Sequence, residues 1–242
     1  MVHYLEAKLV PLQPGSLPFA YREALQGLIY HLLPDRLGRW LHEEGLATPQ
    51  GRWKPFVFSR LVGKLQADTT TKTFRVTGPV RFKLASPIAG VVEELGKALM
   101  LTDRIELAGL AFAHEELILE AITPPSSPTL LVARSPITVF RKENGRRRYF
   151  RPEESEFAEL LVRNIRMKAR ALGKNPEGSA TVEPIEVTPR HKKIERFHRL
   201  VVEGWMGRYR FSGPPELAWV ALTSGLGALG SQGFGFVEAS RD

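Results

Sequence analysis

The chain has 242 residues, of which 43% are hydrophobic and 25% charged; this globular composition excludes a disordered protein and allows one large domain or two smaller ones. No apolar run reaches the roughly 18 residues that a membrane-spanning helix needs, and the first ten residues do not resemble a signal peptide. Cysteine is absent, which excludes disulfides and thiolate zinc sites, so we expect a cytoplasmic protein with no membrane partner.

The positive charge is concentrated in the second half of the chain. Residues 1–125 carry 14 basic and 13 acidic side chains, whereas residues 126–242 carry 20 and 13, which together make the net charge of +8. A basic half of this kind indicates a polyanionic partner, most often a nucleic acid.

Hydrophobic periodicity in the first half predicts the order β, α, β, β, α, β. Alternation of Leu5, Ala7 and Leu9 predicts a first strand, and Leu25, Leu28, Ile29 and Leu32 share one face of a helix from Pro18 to about Leu33. The other predicted elements are a short helix from about Asp35 to Glu44, strands at Phe56–Leu61, Thr73–Val76 and Val80–Leu84 with a turn at Gly78-Pro79, a helix from Ser86 to Met100, and a strand between Ile105 and Leu119.

The same order recurs after a Pro/Ser-rich linker at Thr123–Pro128. The predicted elements are a strand at Ser135–Arg141, a helix at Glu153–Leu172, strands at Thr181–Val187 and Leu200–Phe211, a short helix from Pro214 to about Thr223, and a strand at Phe234–Glu238. We therefore predict an α+β fold of two tandem ferredoxin-like (βαββαβ, RRM-like) domains with antiparallel sheets, spanning residues 1–124 and 125–242.

A glycine-rich segment lies near the end of the sequence. Gly225, Gly227 and Gly230 satisfy the spacing GxGxxG, but a Gly-Phe strand follows instead of a helix, which argues against a dinucleotide site. Two interpretations stay open for these three glycines and for Gly233 and Gly235: a tight turn that enters an edge strand, or bare backbone N–H groups that approach a phosphate backbone.

Two basic segments are candidates for RNA contact. Arg146, Arg147 and Arg148 fall in a predicted hairpin loop, and a longer stretch between two strands carries Arg190, Lys192, Lys193, Arg196 and Arg199 with an interleaved aromatic residue. Such a stretch suits a groove that binds RNA. Arg163, Arg166 and Arg170 form a helical stripe that matches an ordinary solvated face with charges placed to suit the helix dipole.

Three side chains of the first half are candidates for catalysis. Tyr30 lies off the apolar face of its helix, His42 lies near the end of the next helix, and Lys54 precedes a strand. Taken singly, each also fits an ordinary role: a half-buried tyrosine, a helix-capping histidine and a solvated lysine.

Together these residues resemble a known family. The segments Leu25–Tyr30, Leu41-His42-Glu43 and Lys54–Ser59 are similar to the CRISPR repeat-processing endoribonucleases, and Gly225–Gly235 resembles the signature loop of the wider RAMP superfamily. Ser135-Pro136-Ile137 resembles the family's domain junction. The resemblance implies tandem ferredoxin-like domains and cleavage of CRISPR precursor RNA within its repeats.

The implied reaction needs no metal ion or cofactor. The 2′-hydroxyl attacks the adjacent phosphate and leaves a 2′,3′-cyclic phosphate and a 5′-hydroxyl. An imidazole at His42 suits a general base or acid. Tyr30 would position the 2′-hydroxyl, help to deprotonate it or assist the leaving oxygen, and Lys54 would stabilise charge on the phosphorane. The division of acid and base roles between Tyr30 and His42 stays open.

Two other functions remain compatible with the sequence. One is a non-catalytic relative of the same superfamily that binds CRISPR RNA as a subunit, and the other is a basic scaffold protein whose RNA binding is incidental. The expected partner is CRISPR repeat RNA, and the resemblance also admits a multi-subunit effector complex and a homodimer.

Overall fold

The computed structural model describes residues 1–240. Among them, each half of the chain contains one large antiparallel sheet, of seven strands in the first half and four in the second, and there are three further two-stranded sheets. None of the helices among these residues is long and apolar enough to cross a membrane.

The first half contains nine strands and three α-helices. The strands are β1 (Tyr4–Pro11), β2 (Gly15–Pro18), β3 (Leu46–Thr48), β4 (Gly51–Trp53), β5 (Val57–Phe58), β6 (Val62–Asp68), β7 (Thr73–Ala85), β8 (Ile105–Leu107) and β9 (Leu110–Glu120). The helices are α1 (Tyr21–Leu32), α2 (Asp35–Arg39) and α3 (Ala89–Leu101), and a π-helical turn, Trp40–Glu44, continues α2.

The central strands of the first sheet have the order β6-β7-β1-β9, all antiparallel. Helix α1 lies in the connection before β6, and α3 lies in the connection before β9, which is the ferredoxin-like arrangement. The predicted alternation holds, since Leu5, Ala7 and Leu9 are fully buried, and α1 buries Leu25 and Ile29.

The second half repeats this topology. Its strands are β10 (Thr129–Ala133), β11 (Phe140–Glu143), β12 (Arg146–Tyr149), β13 (Thr181–Glu186), β14 (Lys192–Phe197), β15 (Leu200–Trp205), β16 (Arg208–Ser212) and β17 (Val237–Ala239), and its helices are α4 (Ser155–Ala171) and α5 (Pro215–Ser224). The sheet order is β13-β16-β10-β17, with α4 before β13 and α5 before β17. Two hairpins, β11–β12 and β14–β15, stand outside this sheet. The predicted fold class is confirmed, and the division at residues 124 and 125 stays a prediction.

The predicted turn at Gly78-Pro79 is wrong, because residues 73–85 form one continuous strand, β7. Proline has no backbone N–H to donate to a neighbouring strand, so the pairing with that strand is irregular where Pro79 lies. Strand β6 is that neighbour, and its register shifts between Gly63 and Leu65. Gly63 has φ +135, and a Cβ there would lie 2.3 Å from the Pro79 carbonyl oxygen. A bulge therefore replaces the turn.

The predicted strand at Ser135–Arg141 is also wrong. The first strand of the second sheet is β10, and residues 135–139 form a buried irregular segment that joins the two halves. Ser135 Oγ donates to the Phe58 carbonyl at 3.3 Å and accepts from the Phe236 N–H at 2.9 Å. The Ser135 side chain makes both of these hydrogen bonds, whereas a regular strand would use its backbone groups to bond to a neighbouring strand.

Candidate active site

Tyr30, His42 and Lys54 come together from three separate segments of the chain. The Tyr30 and His42 rings meet edge to face with centroids 5.0 Å apart. Lys54 Nζ lies 5.6 Å from the centre of the Tyr30 ring, and it donates a hydrogen bond to the His42 backbone carbonyl. The structure thus brings together all three candidates. The described ring contacts of Tyr30 are with His42 and Phe56, and they do not include the neighbouring His31.

The end of the π-helical turn explains how His42 reaches Lys54. Gly45 closes the turn by donating from its N–H to the Trp40 carbonyl at 2.8 Å. Its backbone angles, φ +57 and ψ −155, lie in a region that side chains avoid. A Cβ at this position would lie 2.4 Å from the Trp53 carbonyl oxygen. Because Gly45 has no side chain, the turn that carries His42 can approach the end of β4, and Lys54 directly follows that strand.

Burial affects two of the three candidates. The Tyr30 hydroxyl is buried and has no hydrogen-bond partner within residues 1–240, and burial raises the pKa of its phenol. Burial also lowers the pKa of the half-buried Lys54. The His42 side chain is exposed. The cluster therefore offers a phenol that keeps its proton at neutral pH, an accessible imidazole and an ammonium with incomplete hydration.

The glycine-rich segment packs tightly inside the protein. A Cβ would lie 2.7 Å from the Gly235 carbonyl at Gly225, 2.5 Å from the Phe58 ring at Gly233 and 2.0 Å from the Leu226 carbonyl at Gly235. The N–H groups of these three glycines donate to backbone carbonyls of the protein. These contacts explain Gly225, Gly233 and Gly235 as parts of a tight turn. Contact with phosphate stays a prediction for all five glycines, of which Gly227 and Gly230 line an open cleft.

A buried lysine that sequence analysis missed holds the glycine-rich segment in place. Lys168 of α4 donates from Nζ to the carbonyls of Ser224, Gly225 and Gly227 at 3.0, 2.7 and 3.2 Å. Burial lowers its pKa to about 7, whereas the three carbonyl acceptors stabilise the ammonium form. The available signal was its position on the apolar face of α4, in line with Leu161.

The glycine-rich segment also touches the helix that carries Tyr30. Gln26, one turn before Tyr30, donates from Nε2 to the Ser231 carbonyl at 2.6 Å. This contact places the segment beside the helix turn that leads to the candidate residue Tyr30.

An open cleft of about 800 Å³ begins at Lys54 and runs between the β3–β4 hairpin, α4 and the glycine-rich segment. Six cationic side chains and no carboxylate are among its lining residues in the described part of the chain. These cations are Arg52, Lys54, Arg141, Lys142, Arg163 and Lys168. A cleft of this charge attracts a polyanion.

The hairpin β11–β12 carries the first basic segment, although not as predicted. Its turn is Asn144-Gly145, both with positive φ, so the three arginines lie on strand β12 and not in the loop. Arg147 stacks over Phe140 at 4.6 Å. Arg148 pairs with Glu154 at 3.0 Å, which leaves Arg146 as the exposed member without an ion pair within residues 1–240.

The second basic segment forms the hairpin β14–β15 together with the short helical turn before it. The single strand predicted at Leu200–Phe211 is divided into β15 and β16, and the break contains Gly207, which has φ +120. Lys192 pairs with Glu203 at 2.6 Å, and Lys193 donates to the Arg190 carbonyl at 3.3 Å. Arg190, Arg196 and Arg199 are exposed.

Acidic contacts anchor this hairpin on α1. Glu195 pairs with the buried Arg22, whose guanidinium lies 4.7 Å from the centre of the Phe234 ring. At the tip, His198 Nδ1 lies 3.0 Å from a carboxylate oxygen of Glu23. The basic hairpin is thus attached to the helix that carries Tyr30.

The arginine stripe of α4 divides into two parts. Arg166 donates to the Gly178 carbonyl at 2.7 Å, and Arg170 lies 3.8 Å from Glu177, so both have local roles. Arg163 lines the cleft. Within residues 1–240, no group of three or more His, Asp or Glu side chains is placed to hold a metal ion.

Comparison with known proteins supports the family resemblance. Residues 122–239 match the family described as CRISPR associated protein Cas6, C-terminal. A structure from a study of a Cas6-related gene from Pyrococcus furiosus has a TM-score of 0.84 at 17% identity, with both chains fully covered. A RAMP protein described as binding different RNA substrates has a TM-score of 0.80 at 18% identity, covering 99% of this chain and 100% of its own. A structure described as CRISPR associated protein Cas6 has 0.77 at 19% identity, with both chains fully covered. At these identities the structural likeness shows the fold, and no curated protein matches the chain.

Proposed function

We propose that the chain, whose residues 122–239 match the family described as CRISPR associated protein Cas6, C-terminal, is a metal-independent endoribonuclease that cleaves CRISPR precursor RNA within its repeats. The observation that carries this proposal is the convergence of Tyr30, His42 and Lys54. A cationic cleft free of carboxylates adjoins the cluster through Lys54, as a polyanionic substrate requires.

The proposed reaction is an internal transesterification. The 2′-hydroxyl loses its proton to a base, its oxygen forms a bond to the adjacent phosphorus, and the bond from phosphorus to the 5′-oxygen breaks as that oxygen receives a proton. The products are a 2′,3′-cyclic phosphate and a 5′-hydroxyl. Dependence on the 2′-hydroxyl restricts the reaction to RNA.

The environment of each side chain suggests its role. Because burial raises the pKa of Tyr30, its phenol keeps its proton and suits hydrogen-bond or proton donation to a substrate oxygen. The exposed imidazole of His42 is accessible to the RNA and suits proton acceptance from the 2′-hydroxyl. The Lys54 ammonium lies 5.6 Å from the centre of the Tyr30 ring, donates to the His42 backbone carbonyl and would stabilise the extra negative charge of the phosphorane.

A cleavage assay with labelled repeat RNA of the source genome in excess EDTA tests this proposal. We expect one cut with a cyclic-phosphate end, a loss of roughly a hundredfold in His42→Ala, and no cut when the nucleotide before the scissile phosphate is 2′-deoxy. His31→Ala is the matched control, because His31 is exposed on the same helix as Tyr30 and outside its ring contacts. Tight binding without a cut by the unaltered protein would refute the nuclease and favour the RNA-binding subunit.

The remaining expectations from the resemblance stay predictions. They are an effector complex, a homodimer and a cytoplasmic location.

A further inference from the structure

The cleft beside the catalytic cluster contains more than positive charge. Besides its cations, it is lined by the indole of Trp53 and by the amides of Asn164 and Gln232. Trp53 ends β4, Asn164 lies on α4 and Gln232 belongs to the glycine-rich segment. An aromatic plane beside hydrogen-bonding amides is the chemistry that recognises an unstacked nucleobase.

The oxygen atoms of these two amides lack hydrogen-bond partners within residues 1–240. Asn164 Oδ1 and Gln232 Oε1 are buried, and no donor in the described part of the chain reaches them. A buried acceptor without a donor destabilises the protein. Ligand N–H groups that reach the two rearranged amides would recover this loss. The exocyclic amine of adenine, cytosine or guanine carries two N–H groups for the two oxygens, whereas uracil in RNA carries a single N–H group, at N3.

Two of the cations at the cleft are available for a phosphate. Arg52 and Arg163 are exposed and make no described ion pair, in contrast to Arg170, which lies 3.8 Å from Glu177 on the same helix as Arg163. Free guanidinium groups bind phosphate oxygens in a bidentate manner.

The half-buried indole of Trp53 supplies the stacking plane. Lys168 Nζ lies 5.9 Å from the centre of its ring, and Lys168 is fixed by its bonds to the glycine-rich segment. Trp53 precedes Lys54 in the chain, so a base in the cleft would lie beside the phosphate that the catalytic cluster holds.

We propose that this cleft binds the nucleobase next to the scissile phosphate, stacked on Trp53, and selects a base with an exocyclic amine over uracil through Asn164 and Gln232. The position next to the scissile phosphate rests on the proposed function. The selection of the base rests on the cleft alone.

Binding of uncleavable RNA tests the selection without any cut. The probes are fluorescent, single-stranded 2′-fluoro oligonucleotides of adenine, cytosine or uracil, which lack the attacking hydroxyl, and fluorescence anisotropy reports their affinity. We expect tighter binding of the adenine and cytosine probes than of the uracil probe. Asn164→Leu and Gln232→Leu should each reduce this preference several-fold, whereas Gln66→Leu, at an exposed glutamine outside the cleft, should leave it intact.

Two further substitutions test the stacking and the phosphate contact. Trp53→Ala should weaken binding of all probes roughly tenfold, and Trp53→Phe should retain most of it. Arg163→Ala should weaken binding more than its matched control Arg170→Ala. Circular dichroism identifies any variant that fails to fold. If Trp53→Ala fails to fold, the affinities of Trp53→Phe and Arg163→Ala for the probes test the contacts instead.

The inference is overturned if the three probes bind alike, or if the amide variants keep the full preference. A protein that selects bases as described but leaves repeat RNA uncut supports the base selection and refutes the nuclease. A protein that cuts repeat RNA but shows no base preference keeps the proposed function and refutes this inference.

Discussion

Gly45→Ala tests whether the close approach of the π-helical turn to β4 builds the proposed catalytic cluster of Tyr30, His42 and Lys54. The alanine introduces two costs. Its backbone must hold φ +57 and ψ −155, which costs a side chain about 1–3 kcal/mol. Its Cβ also meets the Trp53 carbonyl at 2.4 Å, and overpacking of this kind costs about 1–3 kcal/mol. The sum is about 4 kcal/mol, which for a chain of this length lowers Tm by about 10 °C.

A neighbouring glycine separates these two costs. Gly51 in the same hairpin region has φ +111, but a Cβ there meets nothing within 4 Å. Gly51→Ala should therefore show the backbone cost alone, about 2 kcal/mol. Gly27, inside α1, also has open space around it, and Gly27→Ala should stabilise the helix by about 0.5–1 kcal/mol.

Thermal unfolding of the three variants measures the stability, and repeat-RNA cleavage is measured at a temperature where all are folded. If the alanine pushes the turn away, His42 moves relative to Lys54, and a misplacement of about 1 Å can cost about a hundredfold in rate. Gly51→Ala should keep the rate of the unaltered protein. Equal stability of Gly45→Ala and Gly51→Ala would refute the reasoning, because the contact with Trp53 would then contribute nothing.

Two other predictions concern charges. Burial lowers the pKa of Lys54, so its cation is lost at a lower pH than that of an ordinary lysine, and cleavage that needs the cation should fall as pH rises through this lowered value. Lys54→Arg, which stays charged, should move the fall to higher pH in single-turnover rates, and identical profiles would contradict the role of the cation. Arg22→Met leaves the half-buried Glu195 with Arg60 alone, at 4.0 Å, and should destabilise the protein by roughly 3 kcal/mol. Denaturant unfolding measures this loss, Arg22→Met with Glu195→Leu should recover part of it, and an unchanged midpoint would show that the ion pair does not anchor the hairpin.

Local patterns in the sequence were sufficient for the fold class. The alternation at Leu5, Ala7 and Leu9 identifies a buried strand face, and the spacing of Leu25 and Ile29 identifies a buried helix face, because strands and helices have different periods. Where a bulge or a buried polar residue replaces the regular pattern, as at Pro79 and Ser135, the prediction was wrong. There the hydrogen bonds go to distant partners that periodicity does not reveal.

The candidate site was identified from a resemblance, since Tyr30, His42 and Lys54 have no periodicity in common. Only the tertiary structure decided which side chains share a surface with them. Lys168 reads as one cation among many in the sequence, yet it is buried under the glycine-rich segment, and Gln26 contacts Ser231 across 205 residues. The sequence by itself determined which faces of its elements are apolar, because that depends on neighbours along the chain. Packing of the two halves decided which polar groups meet, because each such contact joins residues far apart in the chain.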